Sequence, residues 1–306
     1  MEQKPENKAL AHAPGITPDD VRHSREEADA AFNDEKEHLP IFHWEDYTIP
    51  DAPFPLPVRI YRPSPDQQLP ILLYFHGGGF VLHNIASHDS LCRKLAVCFH
   101  CVVISVGYRL APEFPYPAAI EDGYAALQWA AQQAAFLGGD PAQIMVGGDS
   151  AGANLSAALC ILARDRKGPH IAAQLLFYGN FGCLSPDASP SMQAFGNGDY
   201  ILTRDACAWF EAQYTRGCPP TVKAEATFSP GIAADLTNLP KALVITAQYD
   251  PLRDDGEAFA HRLEATGNRV LLHRIENMLH GFLLCWEQYE SVEHTITQIG
   301  KWIKEL

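Results

Sequence analysis

The stretch Ile144-Met145-Val146-Gly147-Gly148-Asp149-Ser150-Ala151-Gly152-Ala153-Asn154-Leu155 constrains this chain more than any other. An apolar run breaks into glycines, presents one serine and resumes as an alanine-rich helical pattern ending near Asp165. That is the pattern of strand, sharp turn and helix. Gly148-x-Ser150-x-Gly152 matches a nucleophile elbow, whose serine hydroxyl stands above the edge of a sheet. The flanking glycines answer a steric demand: a side chain at Gly148 or Gly152 would meet neighbouring backbone, and glycine tolerates unusual dihedrals. The turn also aims the Ala151 amide, at a helix N-terminus, toward the place where an oxyanion would form. An ordinary strand-to-helix turn could carry the same pentapeptide, so its surroundings must decide.

Those surroundings alternate. Residues 69–75, 101–108, 143–146, 175–178, 242–247 and 269–275 are apolar runs of buried-strand type, and residues 87–99, 117–136, 254–266 and 287–304 have helical patterns. Strands alternating with helices predict an α/β protein with a mostly parallel sheet covered on both faces. Prolines cut residues 43–62 into short edge strands or a hairpin. Thr17 as N-cap, Pro18 at the first helical position and Asp19 and Asp20 in the first turn predict a helix over residues 17–36. The rhythm fails between Gly179 and Asn238, where turn residues surround one helical segment, 203–215; an insertion of that kind is a candidate lid.

Ligands of open parallel sheets bind outside the carboxyl ends of the strands, and three segments point there. His76-Gly77-Gly78-Gly79 follows an early strand, where its glycines let backbone amides approach a reacting carbonyl; no Walker or dinucleotide pattern accompanies them. His76, heading that loop before Ser150 in the chain, is read as ordering the loop. Asp250 closes the run 242–250, where a carboxylate can orient an imidazole, whereas Asp254 and Asp255 have the look of first-turn helix residues. Of thirteen histidines only His261, His273, His280 and His294 follow Asp250. His280, just after the last strand, is the one whose loop can reach Ser150. Ser150, Asp250 and His280 are thus the candidate nucleophile, orienting acid and base.

These segments together resemble the hormone-sensitive-lipase-like carboxylesterases of the α/β-hydrolase fold, in particular the bacterial branch that includes acetyl esterases. The motifs that carry the resemblance are His76-Gly77-Gly78-Gly79-Phe80, Tyr108-Arg109-Leu110-Ala111-Pro112-Glu113, Gly148-Asp149-Ser150-Ala151-Gly152, Tyr249-Asp250-Pro251-Leu252-Arg253 and His280-Gly281-Phe282. The resemblance implies a Ser150, Asp250, His280 triad and an oxyanion hole drawn from Gly77, Gly78, Gly79 and Ala151. It implies a hydrolase core over residues 41–179 and 223–306, with a helical cap from residues 1–40 and 180–222. It also implies a serine esterase acting on short acyl chains through an acyl-enzyme, with no metal or organic cofactor. Gly107, Ala153 and Phe114 depart from residues frequent in relatives, which bears on pocket shape and not on the triad. Two rival readings keep the fold: a non-catalytic ligand receptor, which would usually lack His280, and an amide hydrolase.

Composition narrows the partners. A formal charge of -14 disfavours nucleic acid and anionic membrane surfaces, and no run of eighteen apolar residues predicts a membrane span. The polar first thirteen residues lack the apolar segment of a signal peptide, so a cytoplasmic location is expected. Eight cysteines, several in apolar contexts, are read as reduced and buried, and Cys98-x-x-Cys101 as core. The expected partner is a small-molecule ester, and homo-oligomerisation stays open.

Overall fold

The computed structural model describes residues 21, 23–26, 39–50, 52 and 54–305. Its strands are β1 (His43–Ile49), β2 (Leu56–Arg62), β3 (Leu69–Phe75), β4 (Val102–Val106), β5 (Gly139–Asp149), β6 (Ala173–Phe177), β7 (Lys241–Tyr249) and β8 (Val270–Leu279). The α-helices are α1 (Asp89–Phe99), α2 (Ala118–Gln133), α3 (Ala151–Asp165), α4 (Pro190–Phe195), α5 (Arg204–Tyr214), α6 (Arg253–Ala265) and α7 (Glu290–Glu305). All eight strands form one sheet in the order β1-β2-β4-β3-β5-β6-β7-β8. β2 pairs antiparallel with both β1 and β4, and every other pairing is parallel.

The central strands are apolar on both faces because both faces are covered. In β3, Ile71, Leu73 and Phe75 pack with residues of α2, α3 and α6, such as Leu127, Leu159 and Phe259. The alternate residues Leu72 and Tyr74 pack on the other face with α1 and α7, through Leu91, Leu95, Ile296 and Ile299. This is the α/β-hydrolase architecture, and it places the carboxyl ends of β3, β5, β7 and β8 along one rim.

Local departures from expectation have physical causes. The helix expected over residues 17–36 lies outside the described residues except for 21 and 23–26, which are helical. β5 starts at Gly139, ahead of the expected 143, because its pairing with β3 skips residues between Leu69↔Gly139 and Ile71↔Ile144. The last strand does not stop at 275: a register irregularity carries β8 on to Leu279, with Asn277 at φ 59°. His280 therefore leaves a strand end directly instead of lying in a free loop. Within the insertion, Ser189-Pro190 starts the short helix α4, Ser189 Oγ accepting the Met192 amide, because serine as N-cap and proline in the first turn open helices as readily as turns.

Candidate active site

The rim is assembled by register. Phe75 sits opposite Gly148, so the residues that follow each strand, from His76 and from Asp149, run side by side. Across the sheet Tyr249 pairs with Leu279, which makes Asp250 and His280 neighbours.

Ser150 occupies the elbow at φ 52°, ψ -114°, a region that costs a non-glycine residue about 1–3 kcal/mol. It is held there by its amide, which donates to Phe177 O at 2.9 Å, and by its carbonyl, which accepts from Ala153 and Asn154 at 3.1 and 3.2 Å. The glycines do what their positions suggested: a Cβ on Gly148 or Gly152 would overlap the Phe75 carbonyl oxygen. The hydroxyl of Ser150 lies 3.0 Å from His280 Nε2, and His280 Nδ1 lies 2.8 Å from Asp250 Oδ2. Asp250 is fully buried and its other oxygen accepts the Leu252 amide at 2.8 Å. A carboxylate can only accept here, so Nδ1 carries the proton and Nε2 turns its lone pair to the serine. Burial works against a charged His280, yet the Asp250 carboxylate outweighs it and raises the imidazole above its ordinary value of 6.5. A hydroxyl, an imidazole and a buried carboxylate so joined can pass the serine proton to the ring and stabilise the resulting cation.

The other candidate acids and bases are engaged elsewhere. Asp254 Oδ2 accepts the Ser191 amide, and Asp255 takes the amides of Phe181, Gly182 and Leu184 at 2.5, 3.2 and 2.8 Å. Both carboxylates therefore anchor the chain that leaves β6. His261 is exposed near Glu264, His273 stacks on Trp302 at 3.8 Å and His294 meets Gln298. His76 donates through Nδ1 to Gly77 O at 2.8 Å while its own carbonyl accepts from Tyr108 OH at 2.7 Å. Burial, reinforced by His88, pushes its imidazole down to about 3, and both its hydrogen bonds are made within the rim and not to Ser150.

In the glycine loop, Gly78 and Gly79 have φ 103° and 62°, values that favour glycine. Gly77 differs from its neighbours: its N–H donates to Asp149 Oδ1 at 3.0 Å, and that oxygen also accepts from Tyr74 OH at 2.7 Å. Burial opposes ionisation of Asp149, but His88 and Tyr74 overcome it and hold the carboxyl down to about 2. Ala151 opens α3 directly after the serine, at the positive end of the helix dipole.

Sequence reasoning passed over three side chains that shape this rim. Tyr178, fully buried, sets its ring edge-on to His280 with centroids 5.1 Å apart. Phe210, on α5, packs over Gly79. Arg25 reaches from the helical residues 23–26 to Val81 O at 2.6 Å, Ala111 O at 2.7 Å and both oxygens of Glu113. Only Arg25 had a signal, the otherwise unexplained Glu113 that ends Tyr108-Arg109-Leu110-Ala111-Pro112-Glu113. Among the described residues no group of three or more His, Cys, Asp or Glu could hold a metal ion, and all eight cysteines are free.

A family model described as alpha/beta hydrolase fold matches residues 72–284, which contain Ser150, Asp250 and His280. Carboxylesterase NlhH of Mycobacterium tuberculosis is 44% identical over 253 residues, covering 81% of this chain and 77% of NlhH. The chain belongs to the hormone-sensitive-lipase-like carboxylesterases. Another relative in the family, the carboxylic ester hydrolase LipN of the same organism, is 42% identical over 243 residues; the alignment covers 78% of this chain and 64% of LipN. Among solved structures, the hyperthermophilic esterase of the archaeon Pyrobaculum calidifontis superposes with a TM-score of 0.88 at 41% identity, covering 97% of this chain and 93% of that one. Among the described residues no helix is long and apolar enough to cross a membrane.

Proposed function

We propose that this carboxylic ester hydrolase cleaves short-chain acyl esters through a covalent acyl-serine. Ser150 Oγ attacks the ester carbonyl as its proton passes to His280 Nε2; Asp250 steadies the imidazolium, and the developing oxyanion is met by backbone amides. Because the Gly77 N–H is engaged by Asp149, Gly78, Gly79 and Ala151 are the favoured donors. Collapse of the tetrahedral intermediate breaks the C–O bond, and His280 returns its proton to the alcohol that leaves. The ring then takes a proton from water, whose oxygen attacks the acyl carbon; the bond from that carbon to Ser150 Oγ breaks, Oγ takes the proton back from His280, and the carboxylic acid leaves. No step calls for a metal or cofactor. The observation that carries this reading is His280 between Ser150 and Asp250, at 3.0 and 2.8 Å.

The preference for short chains rests on the crowding of aromatic rings over the glycine loop, with Phe210 on Gly79 and Tyr214 stacked on Phe80 at 3.9 Å. Residues 180–222, which hold α4 and α5, act as a cap beside the glycine loop; its expected N-terminal part, residues 1–40, lies outside the described residues except for 21, 23–26, 39 and 40. The substrate is a small ester, and eight free thiols suit the reducing cytoplasm. The test is hydrolysis of p-nitrophenyl esters from acetate to laurate by wild type and Ser150→Ala. Turnover that peaks at the short esters and vanishes in the variant is the expected result; a wild type active only on amides, or a variant as active as wild type, would overturn it.

A further inference from the structure

Beside Asp149, whose carboxylate holds the glycine loop, lies a buried histidine that the proposed reaction does not use. His88 is fully buried just ahead of α1. Its Nδ1 is 3.1 Å from Ser87 Oγ, and its Nε2 is 3.3 Å from Asp149 Oδ1, an ion-pair contact without hydrogen-bond alignment.

The proton count around this ring follows from its neighbours. Ser87 Oγ is 2.9 Å from Asn84 O, a carbonyl that can only accept, so the single hydroxyl proton points there. The same oxygen accepts the Asn84 amide at 3.0 Å. His88 Nδ1 can then meet Ser87 only as a donor. Nε2 faces an oxygen that already accepts from Tyr74 and Gly77; a bare lone pair there would repel the carboxylate, so Nε2 also carries a proton. The result is a buried imidazolium and carboxylate pair. The rings of His76 and His83 lie 5.6 Å from His88; burial first and the neighbouring His88 second push them down to about 3 and about 4.

Asp149 therefore joins two elements. It precedes the nucleophile in the chain, and its side chain grips the first amide of the glycine loop. We propose that His88 is a positioning residue for this hydrolase, acting through Asp149: by neutralising and orienting that buried carboxylate it fixes the glycine loop against the elbow, so that the remaining amides point at the oxyanion. Without the imidazolium the carboxylate is a buried charge that can be accommodated only by turning away or taking up a proton, and either change loosens its hold on Gly77. The inference rests on the ester-hydrolase reading above.

The test is a double-mutant cycle on p-nitrophenyl acetate hydrolysis with His88→Leu, Asp149→Asn and the pair, together with His88→Gln, each checked for a cooperative thermal transition. Because oxyanion geometry acts on the transition state, His88→Leu should lower kcat about 10-fold or more with KM within about twofold. The Ki of a trifluoromethyl ketone that adds to the serine should rise in parallel. His88→Gln, whose amide can still donate toward Asp149, should recover part of the loss. In the Asp149→Asn background His88→Leu should change kcat by no more than about threefold, because the two residues act in series. A folded His88→Leu with wild-type kcat, or losses that multiply independently across the cycle, would overturn the proposal. If wild type hydrolyses no ester, the ester-hydrolase reading fails and takes this inference with it; an active wild type with additive variants overturns the inference alone.

Discussion

The ring of Phe210 packs on Gly79 so closely that a methyl group at Gly79 would overlap the ring carbons. One residue belongs to α5 of the insertion and the other to the glycine loop, so the insertion is seated on the loop proposed above to supply oxyanion donors. Tyr116 strengthens the seat by donating its amide to Tyr214 O at 2.9 Å.

Gly79→Ala meets two obstacles, that ring and a φ of 62°. Displacing one oxyanion donor costs about 10²-fold in kcat, and that is the expected loss. Phe210→Ala relieves the overlap but not the dihedral, so the double variant should recover only part of the activity. Steady-state kinetics on a short ester, arranged as a double-mutant cycle, reads both contributions.

The strained backbone of Ser150 gives a stability prediction independent of turnover. Glycine accepts φ 52°, ψ -114° more readily than alanine. Ser150→Ala and Ser150→Gly should both lose about 10³-fold or more in activity, but Ser150→Gly should melt at the higher temperature despite glycine's larger unfolded-state entropy. Calorimetry of the two inactive proteins decides it.

pH acts on His280 in two opposite ways. Its pKa in the folded chain is raised, Asp250 prevailing over burial. As a base the ring must be neutral, so kcat/KM should rise with pH along a limb centred above 6.5. The ion pair's contribution to stability runs the other way: it is complete below the unfolded imidazole's value and is lost as pH climbs through the folded one. The stability gap between wild type and Asp250→Asn should therefore narrow as pH increases across the window where activity grows. Urea titrations and rate profiles over the same buffers test both halves.

Arg25 is the tie between the described N-terminal residues and the loop that follows the glycines. Arg25→Met leaves the carbonyls of Val81 and Ala111 without this donor and frees Glu113. The expected loss is about 1–3 kcal/mol of unfolding free energy. Lysine cannot reproduce the fork of contacts, so Arg25→Lys should restore less than half of it, as measured by denaturant unfolding.

What the sequence made legible was whatever local pattern controls. Strand, glycine and serine around Ser150 left few alternatives for the backbone, and the order of Asp250 and His280 after their strands placed both on the rim. Contacts made at long range left no local trace. Nothing around His88 marks it off among thirteen histidines, because its partner Asp149 arrives from the end of β5, far along the chain. Ser189-Pro190 suits a turn as well as a helix start, and only the packing of α4 against α6 chooses between them. β8 outruns its apolar pattern because pairing with β7 extends it over the polar residues Glu276 and Asn277.

The sheet order carries a further consequence for how such a molecule fails. Ser150 and the glycine loop hang from β5 and β3, adjacent strands with partners on both sides, while His280 hangs from β8, which among the described residues is paired only with β7. Backbone opening begins where hydrogen bonds are fewest. Under heat or denaturant the proton acceptor should drift away while the nucleophile and its surroundings are still intact. Such a chain would keep its amide-exchange protection across β3 and β5 and have no turnover. The temperature at which this hydrolase stops working would then be set by one edge strand, and the temperature at which it unfolds by the central pair.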